Sequence, residues 1–169
     1  MQKNLVLLGM MGVGKSTLGK IVAKKLNLNF IDTDASVEKS CLMKVTEIFK
    51  KKGEKYFRLE EEKEVIKAIK KSESVIALGG GAFLTKAIRN NILKNCVSVW
   101  LNLDAINLIK RLKWNKKRPL INKENKLKEI NKLNLERTSI YKLANYKIDC
   151  NNMSKENIVK KIISLYEKH

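Results

Sequence analysis

The residues Gly9-Met10-Met11-Gly12-Val13-Gly14-Lys15-Ser16 fit the pattern GxxxxGK[ST] without a mismatch. Glycines at these places let the backbone wrap so that successive N–H groups face an anion. A lysine at the seventh position reaches β- and γ-phosphate oxygens, and the serine hydroxyl after it is a ligand for Mg²⁺. The pattern carries weight only between a strand and a helix. Both flanks supply that context: Asn4 to Leu8 is a short apolar run, and Leu18, Ile21, Val22 and Leu26 keep helical spacing across Lys15 to Leu26. A glycine turn that merely lets a strand and a helix pack closely has no use for Lys15 and Ser16 at those two offsets.

Asp32-Thr33-Asp34 follows a second short apolar run at Asn29 to Ile31. In a parallel sheet this places both carboxylates at the C-terminal edge, the edge that also carries the first glycine loop. The chain has only four aspartates. Two of them one residue apart beside a phosphate loop suggest a metal ligand and a group acting on an acceptor hydroxyl. The alternative is that Asp34 is the N-cap of a helix starting at Ala35. Gly79-Gly80-Gly81 follows the run Ser74 to Leu78 and, having no β-carbons, permits close backbone approach at the same edge.

Other chemistries are excluded by what is missing. The single histidine is His169, at the C-terminal residue, which removes Ser-His-Asp, Cys-His and histidine-rich metal sites. Cys41, Cys96 and Cys150 lie far apart with no CxxC, so they read as reduced thiols. Proton handling therefore falls to carboxylates or lysines.

The elements that must position these residues alternate. Further apolar runs occur at Cys96 to Leu101 and Tyr146 to Asp149, with helical patterns at Glu54 to Lys70, Ala105 to Leu112, Lys126 to Leu133 and Lys155 to Tyr166. Alternating strands and helices predict an α/β three-layer sandwich, a five-stranded parallel sheet with helices on both faces. The 169 residues, 44% hydrophobic, suffice for one domain with its own core. The polar segment 113–125, which holds the sole proline, Pro119, is expected to be a mobile lid. The apolar stretch from Leu5 to Val13 is broken by glycines and lacks a small-x-small cleavage site, so it is not expected to be a leader. No run reaches the ~18 apolar residues of a membrane span.

The formal net charge is +19. Nucleic acid, an anionic membrane or a phosphorylated substrate would each suit it. The 31 lysines are scattered, however, and read as a solvated surface, whereas the five arginines, Arg58, Arg89, Arg111, Arg118 and Arg137, are expected where a planar two-pronged donor is needed.

Taken in order, the motifs resemble the shikimate kinases, small P-loop kinases related in fold to the nucleoside monophosphate kinases. The resemblance covers nearly the whole chain: GxxGxGKS at Gly9 to Ser16, DxD at Asp32 and Asp34, FRxxE at Phe57, Arg58 and Glu61, GGG at Gly79 to Gly81, RxxxxxxRPL at Arg111 and Arg118-Pro119-Leu120, and ERxxxY at Glu136, Arg137 and Tyr141. It implies transfer of the γ-phosphate of ATP to the 3-hydroxyl of shikimate, in the chorismate pathway. By the same resemblance, Met11, Gly12, Val13, Gly14, Lys15, Ser16 and Thr17 would hold ATP, Ser16 and Asp32 one Mg²⁺ ion, and Asp34 the acceptor hydroxyl. Arg58, Arg137, Gly79, Gly80 and Gly81 would hold shikimate, with Met11, Phe49 and Phe57 near its ring. Arg118 would sit on the transferring phosphate and Arg111 on adenine. Arg89 has no family position and reads as a surface residue. Cys150-Asn151-Asn152-Met153 departs from the proline or small residue usual near adenine. The reduced thiols suit a cytoplasmic protein, the scattered lysines and the lack of any RNP, zinc-finger or basic-heptad signature argue against a specific nucleic-acid partner, and no membrane association is expected; a monomer is expected. Another small kinase, acting on gluconate or a nucleoside monophosphate, and a nucleic-acid-binding protein remain as alternatives.

Overall fold

In a computed structural model, which describes residues 3–113 and 126–169, five strands form one sheet: β1 (Asn4–Leu8), β2 (Asn29–Asp32), β3 (Ser74–Ala77), β4 (Cys96–Asn102) and β5 (Tyr146–Asp149). The spatial order is β2-β3-β1-β4-β5 and every pairing is parallel. β1 lies at the centre, which is why all five of its residues are buried. Parallel strands require crossovers, and here these are helical: α1 (Lys15–Leu26), α2 (Thr33–Cys41), α3 (Val45–Lys70), α4 (Lys86–Asn95), α5 (Ala105–Lys113), α6 (Lys126–Tyr141) and α7 (Lys155–Glu167). The chain moves outward from β1 to β2 and then back to β3, so right-handed crossovers put α1 and α3 on opposite faces. α7 packs on α1, and α4 on α3, completing the three layers.

The strands and three of the five expected helices, α1, α5 and α7, stand where the hydrophobic pattern predicts, within a residue or two at each end. α6 runs on past Leu133 to Tyr141, and α3 starts at Val45 rather than Glu54 because two helices join across Gly53, whose φ of 83° and ψ of 170° are not helical. α2 and α4 bury too few residues to show in the pattern: Thr33 and Val37 in one, Ile88 and Ile92 in the other. The expected loop at 113–125 lies outside the described residues, Lys113 excepted, and with it Arg118, Pro119 and Leu120. The alternative role of Asp34 as an N-cap is overturned. Asp32 caps α2, its side chain accepting from the N–H groups of Asp34 and Ala35.

The main core fills the space between the sheet and both helical layers, while Val37, Ile48 and Phe57 form a second small core under α2 and the first half of α3. The three cysteines are free thiols. Cys96 and Cys150 are buried, and burial pushes both up to about 11. One polar side chain ties the sheet to the end of α3. Asn4, 5% exposed, donates to the Ile69 carbonyl at 3.0 Å and to that of Lys71, and accepts from Ser74 N–H at 3.0 Å. Asn4→Ala strands these groups, and unsatisfied buried polar groups cost about 1–3 kcal/mol each. Urea unfolding of the variant is expected to show a loss of about 2–4 kcal/mol.

Candidate active site

The glycine loop after β1 owes its shape to Gly9, Gly12 and Gly14, with φ of 140°, 81° and 102°. At Gly9 the constraint is also spatial, since a Cβ there would lie 2.5 Å from the Leu101 carbonyl oxygen on β4. Lys15 folds over this loop and donates to the carbonyls of Gly9 (2.8 Å) and Met10 (3.0 Å). Arg111, from α5, donates to Val13 O at 3.0 Å, so its guanidinium lies on the loop itself. Thr17 is exposed beside Ser16 in the first turn of α1, and Met11 is partly buried.

Asp32 ends β2 and serves two masters. One oxygen caps α2, with N–H donors at 3.1 and 3.2 Å, and the other accepts from the Ser16 hydroxyl at 2.5 Å. This fixes the carboxylate across the mouth of the glycine loop. Thr33, fully buried, joins the same segment to the next strand: its hydroxyl donates to Ala77 O (3.3 Å) and accepts from Gly79 N–H (2.9 Å).

Around Gly79 to Gly81 four charged side chains crowd onto bare backbone. A Cβ on Gly79 would lie 2.5 Å from Asp34 Oδ1 and 2.6 Å from Glu61 Oε1, and one on Gly81 would lie 2.5 to 2.8 Å from three atoms of the Arg58 guanidinium. The Gly80 carbonyl accepts from Arg137 Nη1 at 3.2 Å and from the Tyr141 hydroxyl at 2.5 Å. α2, α3 and α6 thus each send a functional side chain to the turn after β3. Phe57, just before Arg58, and Phe49, in the part of α3 before Gly53, have ring centroids 4.7 Å apart, and the Arg58 guanidinium carbon is 5.3 Å from the Phe57 ring centre. Phe49 is exposed and Phe57 buried.

Arg58 is held by carboxylates on its own helix, Glu61 at 2.7 Å and Glu54 at 3.2 Å. Glu61 is 1% exposed, and its other oxygen, Oε1, makes no hydrogen bond. Burial raises its pKa above the usual carboxylate range, with Arg58 opposing and Asp34 adding to the shift. Glu61 stands in the FRxxE motif, but the sequence assigns it no part in the site, because charge and burial cannot be read together from a helix pattern; its spacing of three from Arg58 and its place in the motif are the signals. The surface reading of Arg89 is corrected. It lies partly buried on α4 and donates from Nη1 to the carbonyls of Phe83 (3.0 Å) and Leu84 (2.9 Å), holding the short 3₁₀ turn Ala82–Leu84 that leads out of the triple glycine.

A phosphate loop, a Ser–Asp pair beside it and a ring of carboxylates and guanidiniums on the same sheet edge define a P-loop kinase. The sequence profile of the family described as "Shikimate kinase" matches residues 11–167. A shikimate kinase of Caldanaerobacter subterraneus is 42% identical over 166 residues, covering 98% of this chain and 97% of that one. The shikimate kinase of Bartonella henselae is 38% identical over 94% of this chain and 76% of its own. Among solved structures, shikimate kinase from Acinetobacter baumannii in complex with shikimate superposes with a TM-score of 0.92 at 29% identity, covering 99% and 94% of the two chains. A gluconokinase from Sinorhizobium meliloti, with a TM-score of 0.65 at 15% identity over 98% and 92%, shares the fold. The chain belongs to the shikimate kinase family.

A raised carboxyl pKa means that the folded chain holds the Glu61 proton more tightly than the unfolded chain. The stability this contributes is complete below the ordinary carboxylate pKa and is lost as pH rises through the raised value. Glu61→Gln keeps an acceptor for Arg58 but removes the titration. Relative to the parent, the variant should gain unfolding free energy as pH rises from the ordinary carboxylate value through the raised one in urea titrations; parallel pH profiles would contradict this account.

Proposed function

We propose that this chain transfers the γ-phosphate of ATP to the 3-hydroxyl of shikimate, as the chorismate pathway requires. The convergence of Asp34, Arg58 and Arg137 on Gly79 to Gly81, one strand away from the Lys15 loop, carries this reading. Two guanidiniums from separate helices, α3 and α6, suit one carboxylate on a small polyhydroxylated ring, because paired forks fix orientation as well as position. Phe49, Phe57 and Met11 offer apolar surface beside them. On this reading Asp34 receives the proton of the attacking hydroxyl, a role for which it needs only hydrogen-bond reach of the acceptor. Phosphoryl transfer otherwise asks for positioning and charge stabilisation. Lys15 and the N–H groups from Met11 to Thr17 supply these at the phosphates, with Arg111 bracing the loop on the nucleotide side. Arg118, outside the described residues, is assigned to the transferring phosphate by the family pattern alone.

The Ser16 hydroxyl and Asp32 Oδ2, already in contact at 2.5 Å, are the donor types magnesium takes. Among the described residues no group of three or more His, Cys, Asp or Glu is placed to hold a metal ion, so this pair would leave the remaining ligand positions to phosphate and water. Bound there, Mg²⁺ would neutralise charge developing on the phosphate oxygens. No described helix is long and apolar enough to cross a membrane, and we take the enzyme to be a cytoplasmic monomer of one domain. The +19 charge is read as a lysine-rich solvated surface rather than a nucleic-acid footprint.

Shikimate-dependent ADP release in a coupled assay tests the proposal. Turnover no faster than ATP hydrolysis without shikimate would refute it, and faster turnover on gluconate or a nucleoside monophosphate would move the assignment to another small kinase. Asp34→Asn is expected to retain ATP binding while kcat falls by about 10²–10⁴. Wild-type turnover in that variant would remove Asp34 from the reaction.

A further inference from the structure

Tyr141 belongs to a motif of the sequence but has no part in the chemistry above. It lies four residues after Arg137 on α6, so the two side chains leave the same face of the helix, one turn apart. Both end on one atom: the Gly80 carbonyl oxygen receives Arg137 Nη1 at 3.2 Å and the Tyr141 hydroxyl at 2.5 Å. Tyr141 is 0% exposed, and its ring is fixed against Trp100 on β4 with centroids 5.9 Å apart. Its hydroxyl is therefore held in place by packing, whereas Arg137 is only partly buried. Arg137 Nη1 also lies 3.9 Å from the thioether of Met10, a weak acceptor.

These two donors differ in what substrate asks of them. On the reading that Arg137 clamps the substrate carboxylate, the guanidinium must exchange a neutral carbonyl for an anion, an exchange favoured because charge-assisted bonds are stronger. The cost falls on Gly80. A partly buried carbonyl that loses its only protein donor forfeits a hydrogen bond, and that loss would be charged against binding. A carbonyl oxygen has two lone pairs, and Tyr141 occupies one of them whether Arg137 is present or not.

We propose that Tyr141 is a positioning residue that frees Arg137 for the substrate carboxylate, its hydroxyl keeping the Gly80 carbonyl satisfied when the guanidinium turns away. Without the hydroxyl, Gly80 competes with substrate for Arg137. Burial pushes the Tyr141 pKa up, so the hydroxyl remains a donor across the neutral range.

Tyr141→Phe preserves the ring and its packing on Trp100. Steady-state kinetics of this variant should show KM for shikimate raised about tenfold, the size of one carbonyl hydrogen bond, with kcat and KM for ATP changed less than about twofold. In an Arg137→Ala background the same substitution should alter kcat/KM by less than about twofold, because no guanidinium remains to be retained. A uniform decline in kcat/KM for both substrates, or an unchanged KM for shikimate, would overturn the proposal. If Arg137→Ala strongly weakens shikimate while Tyr141→Phe is silent, the proposal alone fails. If Arg137→Ala leaves shikimate unaffected, the carboxylate clamp fails and this inference with it. A crystal structure of the wild-type protein with shikimate gives a reading independent of any variant. It should show Arg137 on the carboxylate and Tyr141 still on Gly80, and Arg137 remaining on Gly80, or Tyr141 leaving it, would overturn the proposal.

Discussion

Three consecutive residues without a β-carbon, at the end of a buried strand, allow four charged side chains to approach one stretch of backbone. Any side chain at Gly79 would occupy the space between Asp34 and Glu61, and any at Gly81 would enter the Arg58 guanidinium. The rest of the site follows from that opening. α2 delivers an acid, α3 an arginine and its buried carboxylate, and α6 a second arginine, each from a different crossover. Their meeting point is a turn whose entrance is fixed by Thr33 and whose exit is fixed by Arg89.

Charge in this molecule divides into two populations. Lysines cover the surface, and the ion pairs they make with Glu47, Glu60 and Glu64 are short-range helix contacts of little energetic weight. The four arginines within the described residues all make hydrogen bonds to protein groups, three of them to backbone carbonyls. The expectation that each uses a planar fork is met only in part. Arg58 spreads its nitrogens over two carboxylates, whereas Arg89 reaches both of its backbone carbonyls from Nη1. Reach, as much as the fork, selects arginine there.

Glu61 shows how the site tolerates an electrostatic cost. A carboxylate taken out of water with one oxygen unbonded is destabilising by itself, and its partner Arg58 offsets only part of that desolvation. Placing it there nevertheless aims Arg58 across Gly81. Asp32 is the inexpensive counterpart: one of its oxygens is satisfied by the start of α2, so the oxygen facing Ser16 needs no further support.

Much of this was legible in the amino-acid order. The glycine loop, the acid pair and the triple glycine are local, because each performs its task through residues adjacent in the chain, and buried parallel strands announce themselves as short apolar runs. β1 and α1 match their expected bounds for that reason. α2 and α4 were hidden because each buries only two residues, too few for a periodicity, and the true cap of α2 was displaced from Asp34 to Asp32 by the length of β2. What only the tertiary structure decided is which side chains meet. Glu61 beside Asp34, Tyr141 on Gly80 and Arg111 on Val13 join residues far apart in the chain or separated by a turn of helix, and no local pattern encodes such distances; crossover handedness and the packing of each helix on the sheet do.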